Sequence, residues 1–109
     1  MAKHEFGMMP TPPEPGTRYD EYEPQKYNSI SVDDDYVECI DAGLSEIDFY
    51  WHTLDVKEKG LAYCGITLIP PDSTQAFIEL IKDVPPLSEL KELLETAQKE
   101  NSWLIHFGL

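Results

Sequence analysis

Cysteine is scarce in this 109-residue chain, which contains two, Cys39 and Cys64. The two residues do not form a CxxC pair, and two thiols are too few for a disulfide framework or a paired-cysteine zinc signature. No positioned base can be inferred from spacing for either thiol, so neither is marked as a nucleophile. We therefore interpret both as packing residues, Cys64 in the core beside Trp51 and Cys39 beside the apolar stripe of a helix. The low number of cysteines also leads us to expect a reducing, cytosolic setting.

Long apolar runs are also absent from the sequence. No stretch approaches the roughly 20 consecutive apolar residues that cross a bilayer. The segment Met1–Met9 lacks the apolar core and the cleavage site of a signal peptide. The sequence therefore predicts a cytoplasmic protein without a membrane partner.

Basic side chains are few: 8 lysines and arginines stand against 21 acidic residues, which gives a net charge of -13. A surface this acidic repels phosphate backbones and anionic lipids, which argues against nucleic acid and membrane partners. It attracts a basic protein surface, a metal cation or a cationic ligand. The alternative is that the acidity serves solubility alone.

Motifs of common catalytic and cofactor sites are missing as well. The sequence has no phosphate-binding glycine loop, no GxSxG and no HExxH. The acidic run Asp33–Asp35 lacks the central glycine and terminal glutamate of a calcium-binding loop. A helix N-terminus explains this run, because carboxylates there face the positive end of the helix dipole. We predict no cofactor, no metal ion and no catalytic residue.

Apolar residues make up 41% of the chain, enough for one folded domain over its whole length. Lys3–Met9 is predicted to form a strand. The proline-rich Pro10–Gly16 disfavours regular structure, and Arg18–Tyr27 mixes charge and tyrosine without a helical or strand period. Residues 1–26 are thus expected to hold a strand and an arm rich in proline, acid and tyrosine, and residues 27–109 the main core.

From Tyr27 onward, apolar spacing predicts the order β-α-β-β-α-β, with the second helical region split in two. The elements are a strand over Tyr27–Val32, a helix capped by Asp33 and stopped near Gly43, strands over Ile47–Leu54 and Leu61–Ile69, a helix with Asp72 and Gln75 at capping-box spacing, a helix over Leu87–Glu100 and a strand over Trp103–Leu109. We predict an α+β, ferredoxin-like domain with an antiparallel sheet, helices on one face and strand order 4-1-3-2 counted from Tyr27. The strand Lys3–Met9 would extend an edge of this sheet, beside the C-terminal strand.

Pairing Leu54 with Leu61 across the link Asp55–Gly60 gives a testable register. The helix-covered face would then carry only apolar or small residues, namely Ile47, Phe49, Trp51, Thr53, Ala62, Cys64, Ile66 and Leu68. Trp103, Ile105 and Phe107 would join them. The helix-free side, named here the reverse face, would carry Tyr27, Ser29, Ser31, Tyr50, His52, Tyr63 and His106.

The reverse face requires a cover, because a bare sheet face bearing three tyrosines is unusual. Three alternatives remain for what covers this face: the protein's own arm, a second subunit, or a partner or ligand. His52 and His106 would lie at opposite edges, about three strand spacings of ~4.8 Å apart, which argues against a shared metal ion.

Three segments, EPQKYNSISVDDDYVECI, GLAYCGITLIPPDS and IHFGL, are similar to a family of small uncharacterised bacterial cytosolic proteins. The similarity covers most of the chain and implies a bacterial, cytosolic setting, without an activity, cofactor or catalytic residue to transfer. In its general plan the chain also resembles immunity proteins that neutralise toxins, a likeness of type without a shared motif.

These observations favour a non-enzymatic interaction module that binds a basic protein partner, with tyrosines supplying affinity and carboxylates steering the partner. The candidate binding residues are Tyr19, Tyr22, Glu23, Tyr27, Ser29, Ser31, Tyr50, His52, Tyr63 and His106. One alternative is a small-molecule-binding domain or minor enzyme with a pocket on the reverse face, formed by Tyr50, His52 and Tyr63. Another is a homodimer that buries this face.

Overall fold

The computed structural model describes residues 3–108, so predictions that fall on Met1, Ala2 and Leu109 lie outside the described residues. Within this range the chain forms β1 (Lys3–Met8), β2 (Ile30–Asp33), α1 (Asp34–Leu44), β3 (Asp48–Trp51), β4 (Lys57–Lys59), β5 (Ile66–Ile69), α2 (Pro71–Ile81), α3 (Ser88–Glu100) and β6 (Leu104–Phe107). The strands form one antiparallel sheet in the order β2-β1-β6-β5-β3-β4, which confirms the α+β class. No helix within residues 3–108 has the length and apolar character needed to cross a membrane.

Helix α1 forms where the sequence predicts it. Asp33 has an extended backbone, and its carboxylate accepts a hydrogen bond from the Asp35 N–H at 3.1 Å, as an N-cap residue does. Val37, Ile40 and Leu44 are buried at helical spacing. The cap and the apolar stripe together explain why this segment is a helix that packs on the sheet.

The start of α2 differs from the prediction. The helix begins at Pro71, with Pro70 at the N-cap and no side-chain hydrogen bond, so Asp72 and Gln75 do not form a capping box. Proline suits the first helical position because its φ is preset and its missing N–H has no intrahelical partner to lose. Asp72 therefore lies in the first turn and not at the cap.

The position of the N-terminal strand overturns the predicted strand order. β1 lies inside the sheet, between β2 and β6. Its predicted place beside the C-terminal strand is confirmed, since Phe6 lies opposite His106. The strand that follows Tyr27 is left at an edge, so the 4-1-3-2 order of the ferredoxin-like prediction is wrong. Burial gives the reason: His4 and Phe6 on β1 are fully buried, whereas β2 buries only Val32.

The register between β3 and β5 also differs from the prediction. The two strands pair antiparallel as predicted, but Leu68 lies opposite Tyr50, three residues beyond its predicted partner Ile47. Because side chains alternate along a strand, an odd shift moves the neighbouring side chains to opposite faces. Phe49 therefore packs beneath the helices, while Ile66 lies on the reverse face.

The link between β3 and β5 is more structured than the predicted hairpin loop. After Trp51 the chain turns, and β4 pairs back on the outer edge of β3. β5 then begins at Ile66, not at Leu61. Lys57–Lys59, which a simple hairpin would leave in its loop, form β4 and pair with β3. The turn residues between β3 and β5 therefore differ from those predicted, and so does the register of these two strands.

Two apolar cores lie on the two sides of the sheet. The larger core, between the sheet and the three helices, includes Phe6, Phe49, Phe77, Leu90, Leu94 and Leu104. The smaller core, on the reverse face, contains Met9, Ile66, Leu68, Ile105 and Phe107, with Tyr19, Tyr27, Tyr50, Leu54 and Trp103 packed against it. Trp103, Ile105 and Phe107 thus lie on the reverse face, which corrects their predicted position beneath the helices.

Candidate functional site

The arm, residues 10–27, lies against part of the reverse face. The Tyr19 N–H donates to the His52 carbonyl at 2.6 Å, which ties the arm to the end of β3. The rings of Tyr22 and Tyr27 lie against Phe107, with centroid separations of 5.5 and 5.9 Å. Of the three covers considered from the sequence, the protein's own arm is present in the structure.

The outer side of the arm combines an exposed aromatic ring with carboxylates. Tyr22 is 61% exposed, more than any other large hydrophobic side chain within residues 3–108. Its sequence neighbours include the acids Asp20, Glu21 and Glu23. Arg18 pairs with Asp20 at 2.7 Å and Lys26 with Glu23 at 3.0 Å, both through exposed cations. The arm therefore presents an aromatic surface with an acidic border.

Glu21 and Glu23 differ in acidity because of their hydrogen bonds. The Lys26 ammonium donates to Glu23 and holds the pKa of Glu23 below its ordinary value. A hydrogen bond with the Glu23 carboxylate raises the pKa of Glu21. As the pH falls, Glu21 therefore takes up a proton before Glu23 does.

His52 adopts a left-handed backbone conformation, with a φ of 63°, just after β3. This conformation is uncommon outside glycine, and surrounding contacts must offset its energy. The ring nitrogen Nδ1 lies 3.0 Å from the Tyr19 carbonyl and 2.9 Å from Asp20 Oδ1. Both partners only accept hydrogen bonds, so Nδ1 carries the hydrogen. In the neutral ring, Nε2 is then unprotonated and available as an acceptor.

A cleft of about 260 Å³ lies beside His52. Its other lining residues are Asp20, Tyr22, Cys64, Gly65, Ile66 and Gly108. Gly65 lets the imidazole approach, because a Cβ on this residue would lie 2.7 Å from His52 Nε2. The cleft places a thiol, a phenol and a basic ring nitrogen around one small space. A small polar ligand could be held there by hydrogen bonds.

Both cysteines are exposed, which corrects their prediction as packing residues. Cys64 precedes β5, which begins at Ile66, so it lies in the turn and not on the sheet. Cys39 lies on α1, outside the buried stripe of that helix. Within residues 3–108, no three His, Cys, Asp or Glu side chains are grouped to hold a metal ion.

A larger cleft, of about 450 Å³, lies toward the start of β3, and we name it the Tyr50–Trp103 cleft. The two rings that name it lie 5.7 Å apart at an angle of 43°. Asp48, Lys57 and Asp72 also line it. Lys59 donates to Asp48 at 3.0 Å and keeps the pKa of this carboxyl below its ordinary value. The prediction included Tyr50 but missed Trp103 and Asp72, which had been placed under the helices and at a helix cap.

His106 and Tyr63 lie on the helix side of the sheet, contrary to the prediction. His106 is fully buried beside His4, with His4 Nδ1 and His106 Nε2 2.8 Å apart. His4 Nε2 lies 2.9 Å from Asp34 Oδ1, and the Tyr63 hydroxyl donates to the same oxygen. At the inner end, His106 Nδ1 lies 3.1 Å from Thr67 Oγ1. We name these five residues the buried polar chain.

The buried polar chain runs from a backbone amide to a carboxylate. The Ala62 N–H donates to Thr67 Oγ1 at 2.8 Å, and this hydroxyl oxygen lies 3.1 Å from His106 Nδ1. His4 donates from Nε2 to the Asp34 carboxylate, which can only accept. Between the two rings, His4 Nδ1 and His106 Nε2 share one hydrogen.

The surroundings of the buried polar chain shift the pKa of its members. Burial lowers the pKa of His106 well below its ordinary value, and the nearby His4 ring adds to this effect. Hydrogen bonds from Tyr63 and His4 lower the pKa of Asp34, and the bond to Asp34 raises the pKa of Tyr63. No buried side-chain polar atom in the described part of the chain lacks a partner. The network therefore serves the fold, since it joins β1 to β5, β6 and α1.

Ser29 and Ser31 use their hydroxyls within the protein. Ser29 donates to the Pro24 carbonyl and Ser31 to the Glu5 carboxylate, each at 2.7 Å. The predicted binding residues that lie on the arm or on the reverse face are Tyr19, Tyr22, Glu23, Tyr27, Tyr50 and His52. Of the others, Ser29 contacts the arm through Pro24 and Ser31 contacts β1, while Tyr63 and His106 belong to the buried polar chain.

The chain matches no protein-family model, no curated protein and no solved structure.

Proposed function

We propose that this chain is a non-enzymatic interaction module that binds a basic protein partner through the outer side of the arm. The observation that carries the proposal is Tyr22, an aromatic ring 61% exposed within an acidic segment. Protein contact surfaces are enriched in tyrosine, and their strongest contacts are aromatic anchors surrounded by a polar rim. In the complex, Tyr22 would be the anchor and the neighbouring carboxylates the rim.

The charges of the arm suit a basic partner. Asp20 and Glu23 are paired with Arg18 and Lys26, whose side chains are 61% and 59% exposed. Exposed pairs of this kind contribute little to stability, so cations of a partner can replace them. The net charge of -13 would also steer a basic protein toward the chain. A bacterial cytosolic setting and an immunity-like role are part of this proposal.

The substitution Tyr22→Ala tests the proposal, with Tyr36→Ala as the matched control. Tyr36 is 39% exposed and stands next to acids, but it belongs to α1 on the helix side. Partners captured from the native host by the wild-type chain are identified, and the affinity of each purified partner is measured by calorimetry. We expect Tyr22→Ala to weaken binding by about tenfold or more. Tyr36→Ala should leave it unchanged, and added salt should weaken it.

Equal binding by the wild-type chain and the Tyr22→Ala variant would contradict the proposal. So would a partner whose affinity does not respond to salt, because the acidic border of the arm would then contribute nothing.

A small-molecule site beside His52 is the second candidate function. The observation that favours it is the position of the His52 ring, which lines a cleft while its Nδ1 is hydrogen-bonded to Tyr19 and Asp20. A thermal-shift screen of metabolites, repeated with Gly65→Ala, tests this candidate. The added methyl would occupy the space next to Nε2, so a true ligand should stabilise the wild type and not the variant. A screen in which no compound stabilises the wild type would speak against it.

The homodimer considered from the sequence is disfavoured by the position of the arm. Tyr22 and Tyr27 already lie against Phe107, where a second sheet would have to pack. Light scattering coupled to size-exclusion chromatography would detect such a dimer directly.

A further inference from the structure

The Tyr50–Trp103 cleft lies on a part of the reverse face where the lining does not include the arm. Its volume of about 450 Å³ is within the range of ligand sites in proteins. The rings of Tyr50 and Trp103 are inclined by 43°, with centroids 5.7 Å apart, and so form two adjoining walls. Both side chains are half-buried, so these walls are partly open to a ligand.

Two carboxylates line the same cleft. Asp48 is ionised at neutral pH, because Lys59 donates to it at 3.0 Å and lowers its pKa. Asp72 lies in the first turn of α2 and has no ion-pair partner among residues 3–108. The one cation in the lining is Lys57, whose Nζ is 3.9 Å from Asp48 Oδ2 and whose side chain is 60% exposed. This long contact leaves Lys57 easy to displace.

Aromatic walls combined with carboxylates are the chemistry that recognises an organic cation. A cation is attracted to the faces of tryptophan and tyrosine rings. A guanidinium group is planar, stacks on such rings and can donate two parallel hydrogen bonds to a carboxylate. An anionic ligand would instead meet Asp48 and Asp72. We propose that the Tyr50–Trp103 cleft binds a guanidinium group, carried by an arginine side chain or by a small guanidino compound.

This inference goes beyond the function proposed for the arm and does not depend on it. The arm is tested through Tyr22, which does not line this cleft. A chain that fails to bind a basic partner through Tyr22 can still bind guanidinium here, and the reverse also holds.

The variant Trp51→Phe provides the reporter, because it leaves Trp103 as the single tryptophan. Trp51 points away from the cleft and donates its indole N–H to the Gly60 carbonyl. Trp103 fluorescence is then followed during titration with N-acetylarginine methylamide. The neutral isostere N-acetylcitrulline methylamide is titrated in parallel. We expect a saturable change with the arginine compound and none with the citrulline compound.

Substitutions in the Trp51→Phe background test the groups that make the site. Tyr50→Leu should weaken binding by about 2- to 30-fold, the range of a cation–π contact. Asp72→Asn should weaken it by up to about fivefold, the range of an exposed ion pair, whereas Asp83→Asn, which changes the net charge equally outside the cleft, should not. Lys57→Ala removes one of the two lysines that pair with Asp48, the one that lines the cleft, and should tighten binding by up to about fivefold. Circular dichroism confirms that each variant is folded.

Two further titrations distinguish the sources of the guanidinium. A Gly-Arg-Gly peptide that binds more tightly than free arginine supports a protein partner, and the opposite order supports a small guanidino compound. An unsaturable response, an equal response to citrulline, or equal weakening by Asp72→Asn and Asp83→Asn would overturn the proposal.

Discussion

Acid should destabilise the fold from about pH 6.5 downward, because His106 is neutral in the folded state. Its side chain is fully buried, and burial lowers its pKa well below the ordinary value. In the unfolded chain His106 takes up a proton as the pH falls through ~6.5. The unfolded state then binds one more proton than the folded state, so the free energy of unfolding decreases as the pH falls.

A difference of one proton changes the free energy of unfolding by about 1.4 kcal/mol per pH unit. Between pH 6.5 and 5.0 the loss from His106 is therefore about 2 kcal/mol, a large share of the ~5–15 kcal/mol that stabilises a typical domain. Asp34 adds a second loss in more acidic solution. Its pKa is lowered in the fold by hydrogen bonds from Tyr63 and His4, so its contribution is present above the ordinary value of 3.8 and disappears as the pH falls below it.

Urea unfolding at a series of pH values, for the wild type and His106→Gln, measures this effect. Glutamine does not titrate, so the variant should be less stable at pH 7.5 but should lose stability more slowly between pH 6.5 and 5.0. The two slopes should differ by about one proton, or ~1.4 kcal/mol per pH unit. Equal slopes would refute the reasoning, because His106 would then titrate alike in the folded and unfolded states.

Three further predictions concern single positions. Gly7→Ala would place a methyl 2.6 Å from Tyr27 Cβ and should lower the free energy of unfolding by about 1–3 kcal/mol in urea, and an unchanged midpoint would contradict this contact. Asp33→Ala removes the N-cap of α1 and should cost about 1 kcal/mol by the same assay, whereas Asp33→Asn should restore most of it. Cys39 and Cys64 are exposed and should both react with an aromatic disulfide reagent in the folded protein, so protection of Cys64 would contradict its position in the cleft.

Local signals in the sequence predicted the helices well. The cap at Asp33 and the buried positions Val37, Ile40 and Leu44 follow from the spacing of neighbouring residues, and α3 ends at Glu100 as predicted. Such features depend on contacts within a few residues, which a single sequence displays directly.

Strand order and register depend on distant contacts, and here the prediction failed. The place of β1 inside the sheet is set by pairing with β2 and β6, and the burial of His4 depends on His106, which is 102 residues away. The register of β3 and β5 depends on β4, a strand of three exposed residues without an apolar pattern. Because the register shift is odd, Tyr63 was assigned to the wrong face. His106 was assigned to the wrong face because Trp103, Ile105 and Phe107, which alternate with it, were placed beneath the helices.

The candidate site was predicted in part for the same reason. Tyr22 and His52 could be identified because exposed tyrosine among acids and a histidine near a strand end are visible in sequence. The Tyr50–Trp103 cleft could not, since Tyr50 lies on β3 and Trp103 just before β6, far apart in the sequence. The shared alternation of Trp103, Ile105 and Phe107 was a usable signal, but it did not reveal which face was covered by helices.

The surface proposed for partner binding requires that Phe107 lies beneath the arm, on the face of the sheet opposite the helices. A nuclear Overhauser spectrum with selectively labelled aromatic rings measures this directly. We predict cross-peaks from the Phe107 ring to the rings of Tyr22 and Tyr27, whose centroids lie 5.5 and 5.9 Å away. Cross-peaks from Phe107 to Leu94 of α3 in their place would contradict the account.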